Sequence, residues 1–405
     1  MAPIDTGDTA FVLLSASLVL FMTPGLALFY GGMVRAKNVL STIMQSVFAA
    51  GVITVVWVLA GYTLAFGSAT GPLGGFIGGL EHLGFSGILG QVTGTIPTGA
   101  FAIYQCMFAV ITPALITGAF AERMKFRAWA LLSVLWVLVV YAPVAHWVWG
   151  GGWMAAMGVK DFAGGIVVHA TSGAAALVAA IMLGRRLGHG TSEIAPHNLT
   201  MTLLGAGILW FGWFGFNAGS ALAANEQAVS AFIATHVAAA AGMLAWLAAE
   251  RYHSGRATTL GAATGAVAGL ATVTPASGFV TPLSALLIGT VAGVVCYGAV
   301  LLKNRFGYDD SLDVVGVHGV GGVLGSLMIA LLAAKSVGGV SGLIEGNTSL
   351  VIPQLVGVTV AVAYSLTATW AILKVIDLTV GLRVDEDIEI SGLDLAEHAE
   401  VGYSL

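Results

Sequence analysis

Apolar runs of about 20 residues recur along nearly the whole 405-residue chain, and no other feature restricts its fold so strongly. A run of that length crosses the hydrocarbon core of a bilayer as a helix, because only helices and closed barrels satisfy every backbone N–H and C=O there. Composition removes the soluble alternative: 58% of the residues are apolar and 9% charged, too little charge to cover a water-soluble domain of this size. The expected fold class is therefore an all-α polytopic membrane protein. Its 56 glycines suit that class, since small residues such as Gly164, Gly165, Gly173 and the run Gly319, Gly321, Gly322, Gly325 let helices approach closely. Cys106 and Cys296 both fall within apolar runs and read as small buried side chains, with no disulfide framework or metal site suggested.

Eleven transmembrane helices are expected, over roughly 9–32, 39–67, 99–120, 128–148, 162–184, 199–221, 228–250, 259–275, 282–302, 313–333 and 351–381. In that scheme Arg35, Lys37, Arg123, Lys125, Arg127, Arg185, Arg186, Arg251, Arg256, Lys303, Arg305 and Arg383 share one side, and only Lys160 and Lys335 fall on the other. The positive-inside rule makes the basic side cytoplasmic, with the N-terminus outside and the C-terminus inside. An odd number of spans meets that requirement. The opening "MAPIDTGDTAFVLL" has no positive region before its apolar run, so a resident first helix is expected rather than a cleaved signal peptide. Residues 1–381 then form the transmembrane domain and 382–405 a polar tail. A weak internal repeat runs through the first ten spans. "ITPA" (Thr112, Pro113) matches "VTPA" (Thr274, Pro275), and "VVHATSG" around His169 matches "GVHGVGG" around His318. Five spans per repeat, roughly 9–184 and 199–333, with 351–381 added, give a five-plus-five inverted repeat. Such repeats place a pathway at their interface near the midplane.

Ionisable groups inside a bilayer are costly, and function is the default reason for keeping one. His169 and His318 lie at similar depths in spans entered from opposite faces, so the repeat brings them together near the centre; two separate histidines, each bonded to a backbone carbonyl, is the alternative. A neutral imidazole pair offers donors and acceptors to a small polar solute or relays a proton. A metal is not expected there, for want of a third ligand at that depth. Asp161 opens the fifth span and reads as a helix N-cap, satisfying orphan N–H groups at the positive end of the dipole. Tyr104, Phe108, Trp147, Trp149, Trp153 and "WFGWFGFNAGS" (Trp210 to Ser220) gather on the outer side. They fit either an interfacial aromatic belt or a vestibule whose ring faces attract a bare cation, with a hydroxyl such as Ser220 accepting a hydrogen bond.

The stretch "DFAGGIVVHATSGAAALVAAIMLGRR" (from Asp161) resembles the signature of the ammonium transporter family (Amt/Mep/Rh). Similarity continues through "FYGGMVRAKNVL", "GAFAERMKFRAW", "AHWVWGGGW", "PHNLTM", "GWFGFNAGSA", "DVVGVHGVGG" and "DLTVGLRV", in order along the chain. The resemblance implies an outer ammonium-recruitment site at Trp149, Phe108 and Ser220, and a stacked aromatic gate of Phe108 and Phe216. It implies twin pore histidines, His169 and His318, with Asp161 as the acidic residue supporting recruitment or deprotonation. Trp149 and Ser220 favour the prokaryotic Amt branch over Rh. Ammonium and ammonia are the implied substrates, without a cofactor. A homotrimer in the cell membrane is implied, one pore per protomer. The tail "LRVDEDIEISGLDLAEHAEVGYSL" reads by composition as a disordered solvated end. Its "GLD…H…E…Y" spacing resembles the family's cytoplasmic tail, which meets PII-type signalling proteins, with Ala399 standing where a glycine is more typical.

Two other function classes were weighed. An ammonium sensor would use the same recruitment site without flux; sensors of the family often carry an added signalling domain, and none is visible in this chain. An intramembrane enzyme would need an activated nucleophile. Asp161 and His169, about 12 Å apart along a helix, do not form a dyad, so no catalysis is expected.

Overall fold

The computed structural model describes residues 4–403 except 69, 70 and 193. Among these, ten helices are long and apolar enough to cross a membrane. They are α1 (Thr6–Met33), α2 (Ala36–Phe66), α3 (Thr98–Phe120), α4 (Phe126–Met157), α5 (Gly165–Leu183), α6 (Leu199–Ala221), α7 (Glu226–Ser254), α9 (Pro282–Phe306), α10 (Val315–Leu332) and α11 (Val351–Thr379). The remaining apolar segment of the sequence forms α8 (Thr259–Val273), whose 15 residues fall short of a full crossing on their own. Nearly every α8 residue is buried. The chain then turns through Thr274–Phe279, with Pro275 lodged against Gly165 of α5. A helix that meets protein on all sides does not need the length that a lipid-facing one does.

Hydrogen bonds sort the loops onto two ends. At one end Glu122, between α3 and α4, takes Arg35 from the α1–α2 loop and Arg186 from the α5–α6 loop. Arg186 also grips Asp309, between α9 and α10, through two N–H···O bonds of 2.9 Å. Arg123 adds the Gly184 and Asp309 carbonyls. Burial alone would raise the Glu122 and Asp309 carboxyls, but their arginines hold both below the usual carboxylate range. At the opposite end the amide of Asp5 donates to Thr95 O, Asp8 accepts from the amide of Ala224, and the two His146 ring nitrogens meet the carbonyls of Ala65 and Gly74. The first helix thus starts at the far end from the arginine cluster.

The acidic tail is not the solvated coil its composition suggests. It folds as α12 (Glu386–Ser391) and α13 (Leu393–His398) and docks on the basic end. Asp394 accepts from the amides of Leu40 and Ser41, Glu397 accepts from the amide of Phe126, and Glu389 meets Arg383 and the amide of Leu187. The heads of α2 and α4 point at the tail, so its carboxylates serve as helix caps. That use leaves no mark in composition. Both cysteines are buried and free.

Candidate functional site

Two helix heads built alike carry the two histidines. Asp161 accepts from the amides of Gly164 (2.8 Å), Gly165 (2.7 Å), Ile166 (2.8 Å) and Val167 (3.1 Å), four orphan donors met by one buried carboxylate. Gly164, at φ 117°, makes the left-handed turn into α5 that lets the cap close. The first turn, Gly165–Ala170, is a π-turn ending beside His169. In α10 the Asp310 carboxylate accepts from the amides of Val314 and Val315, and the π-turn Val315–Gly319 carries His318. Burial, reinforced by Asp313 and opposed by Lys303, pushes the Asp310 carboxyl up to about 6. Single π-turns inside α-helices cluster at functional sites because they re-aim one side chain.

The two heads meet through glycine. A Cβ on Gly173 would lie 2.1 Å from the Gly319 Cα, so the α5 and α10 backbones touch here only because Gly173 lacks one; a Cβ on Gly319 would sit tightly, 3.2 Å from the Gly173 Cα. That contact brings the imidazoles together, rings 5.2 Å apart at 21° with their Nδ1 atoms at 3.3 Å. One facing nitrogen must carry a proton and the other must be bare for this bond to form. The two outward Nε2 atoms of a neutral pair then differ, one a donor and one an acceptor. His169 Nε2 is buried with no partner among the described residues. Both histidines line a narrow void with Leu26, Ile111, Val168 and Phe216. It leaves water-sized molecules 10 Å³ in which to place their centres, room for about one at a time.

Above the histidines the void is closed by two rings. Phe216 stacks over His169 at 6.0 Å and packs on Phe108 at 4.3 Å; both phenylalanines are 1% exposed. Beyond them opens a vestibule lined by Phe108, Trp149, Ser220, Gln105, Phe101 and Phe162. The Trp149 ring stands edge-on to Phe108 at 6.1 Å, and its indole N–H donates to the Asp161 carbonyl at 2.8 Å. Ser220 donates to the Phe216 carbonyl at 2.9 Å and has Tyr104 Oη at 3.2 Å, and a hydroxyl oxygen with two lone pairs still has one for a donor in the vestibule. Six of the seven residues singled out from sequence line the void or the vestibule: His169, His318 and Phe216 the first, Phe108, Trp149 and Ser220 the second. Asp161 differs from the rest: it lines neither space, its oxygens are taken up by the cap, and it reaches the vestibule through Trp149.

Four further residues had no individual role in the sequence reading, Tyr104 and Trp213 standing there only among the outer aromatics. Trp213 stacks on His169 at 5.6 Å, fixed by its N–H on Thr274 Oγ1 at 2.8 Å; its place one helical turn before Phe216 could have shown that it shares that face. Tyr104 holds the backbone beside Phe216, its one O–H shared between the Gly215 and Phe216 carbonyls. Gln105 reaches the vestibule with its side-chain oxygen buried and unpaired, and helical phase with Phe101 and Phe108 was the available signal. Asp310 precedes His318 by the same interval as Asp161 precedes His169.

Known proteins share this arrangement's framework. A model described as Ammonium Transporter Family matches residues 10–403. The chain is 50% identical over 403 residues to an ammonium transporter of Bacillus subtilis, covering 98% of each. Among solved structures it superposes on Mep2 of Saccharomyces cerevisiae with a TM-score of 0.89 and 38% identity, over 95% of this chain and 88% of that one. It also superposes on a protein described as a sensor Amt, with a TM-score of 0.89 and 30% identity over 97% and 98%.

Proposed function

The chain belongs to the ammonium transporter family, and from that premise we propose that it carries ammonium across the membrane as ammonia, through the void between its histidines. Ammonium settles in the vestibule against the faces of Trp149 and Phe108, with Ser220 Oγ accepting one N–H. Cation–π attraction there returns about 1–2 kcal/mol. Stripping the hydration shell of an ion to enter an apolar passage costs several times that, so the charged form stops at the rings of Phe108 and Phe216. Loss of one proton yields neutral ammonia, which crosses the gate and exchanges hydrogen bonds with the two Nε2 atoms, one donor and one acceptor. The proton returns to vestibule water or crosses by its own route. Asp161 acts as a positioning residue, holding both the head of α5 and the Trp149 indole. The observation that carries the reading is the phenylalanine pair, which separates an aromatic vestibule from an apolar void in which His169 Nε2 is buried without a partner among the described residues. Potassium has no proton to lose and is refused.

The same reading extends to architecture. The N-terminal and basic ends lie apart, so an odd number of crossings is required, and α8 with its following turn supplies the eleventh. The matched heads of α5 and α10 support the five-plus-five inverted repeat, and the basic end faces the cytoplasm of a cell whose plasma membrane the protein spans. Residues 1–381 form the transport domain and 382–405 a regulatory tail, docked where a PII-type protein would meet it. Three copies assemble with separate pores. A second reading, an ammonium sensor that binds without substantial flux, draws on the likeness to a sensor Amt protein. An ammonium jump on proteoliposomes separates the two: transport changes luminal pH or moves charge within seconds, whereas saturable ammonium binding with neither response leaves the sensor.

A further inference from the structure

The outer surface carries a trench that the transport path does not use. Its floor is the Gly173–Gly319 contact and its walls include Leu177, Val323, Leu327 and Val362. Leu177 also lines a second depression at the basic end, with Ile181, Arg185, Phe306 and Tyr308, so the two join along α5. From Gly173 to Arg185 this path runs for about 18 Å at the helical rise, against about 15 Å for one leaflet's hydrocarbon. One end is apolar at mid-depth and the other reaches the headgroup level at a cation. Arg185 is held there by its Nε on the Gly307 carbonyl at 2.8 Å. The nearby Asp309 carboxylate does not oppose an anion, because Arg186 grips it through both oxygens.

We propose that this trench is a binding site for one anionic phospholipid of the basic-side leaflet, its acyl chain along Leu177 and Val323 and its phosphate on Arg185. An unfilled apolar trench forfeits the dispersion contacts of its walls, and in a bilayer an acyl chain is the filler at hand. Ile181 and Phe306, 60% and 76% exposed, line the depression at the basic end and would cover the chain's upper part. The occupant lies against Gly319 and Ala170, the last residues of the two π-turns that carry the histidines. This inference rests on the helices spanning a membrane and not on what the pore conducts.

Native mass spectrometry of the delipidated full chain, titrated with palmitoyl-oleoyl phosphatidylglycerol, tests it. The wild type is expected to take up phosphatidylglycerol ahead of phosphatidylcholine. Arg185→Gln should weaken the first addition about fivefold, one arginine's attraction to an anionic lipid surface. Leu177→Trp should block it, and millimolar inorganic phosphate should not compete. Arg256→Gln, an exposed arginine outside the trench, should leave it unchanged. Equal weakening by Arg256→Gln would reduce the effect to diffuse surface charge and overturn the site, as would an Arg185→Gln protein that binds like wild type. A Leu177→Cys crosslink between two copies in membranes would overturn it in favour of a protein contact. If Leu177→Trp does not fold, Arg185→Gln decides alone.

Discussion

His169 Nε2 is the residue-scale core of the account, a buried ring nitrogen that leaves its hydrogen bond unmade while its other nitrogen meets His318. An orphaned buried polar atom costs about 1–3 kcal/mol, which ammonia would repay on the proposed route. Gln105 Oε1 is in the same condition in the vestibule. Its carbonyl is placed to accept from ammonium, and a hydrogen bond to a charged group contributes about 1.5–3 kcal/mol. Gln105→Leu should therefore raise the half-saturating ammonium concentration roughly tenfold in a flux assay, with the maximal rate kept; an unchanged half-saturation would remove Gln105 from the site. Ala399 tests a different residue. It sits at φ 55°, ψ 33°, in the left-handed region, as the C-cap of α13, so the alanine is strained by about 1 kcal/mol where glycine would not be. Ala399→Gly should slow hydrogen exchange across Leu393–Ala399 several-fold, and faster exchange would contradict the strain. The two histidines were legible in the sequence because a bilayer makes ionisable groups conspicuous. Gln105 and Trp213 were not, because glutamine beside aromatic residues, and tryptophan among others, are ordinary residents of a membrane interface.

At the scale of elements, the molecule repeats one device: an aspartate that caps a helix head and a π-turn that swings a histidine inward, in α5 and again in α10. The cap at Asp161 was readable from its place before an apolar run. Asp310 was hidden within "YDDSLD", where several acids compete for the same role. The shortness of α8 was largely legible: the expected span 259–275 overruns the helix Thr259–Val273 by two residues, because an apolar run does not say where the backbone turns when protein rather than lipid surrounds it. The tail's docking could not be read, since it depends on carboxylates meeting helix heads distant in sequence. The arginine cluster makes an element-scale prediction about pH. Glu122 and Asp309 have lowered pKa values in the fold, so their stabilisation is present above the ordinary carboxylate pKa of about 4 and is lost as pH falls below it. The melting temperature in detergent should hold from pH 7 to 5 and drop towards pH 3. Glu122→Gln should melt lower at pH 7 and show a shallower acid drop; an acid limb unchanged by the substitution would place the sensitivity elsewhere.

Across the whole molecule, long apolar helices set the membrane and the pairing of charged loops sets the two ends. Between the vestibule and the void the lining changes character at the Phe108–Phe216 pair: aromatic and partly polar on one side, apolar with two imidazoles on the other. On the proposed mechanism selectivity follows from that change, because a cation able to become neutral would pass and one unable to do so would not. The most direct test is an ammonium jump, and a matched potassium jump, on proteoliposomes read for charge movement and luminal pH, with wild type beside His169→Ala and His318→Ala. Wild type is expected to give an ammonium-specific response, as current or as luminal alkalinisation, and none to potassium. In the variants the ammonium response should be lost or potassium should gain a current. A potassium current in wild type equal to that of ammonium, or variants indistinguishable from wild type, would contradict passage through the histidine pair.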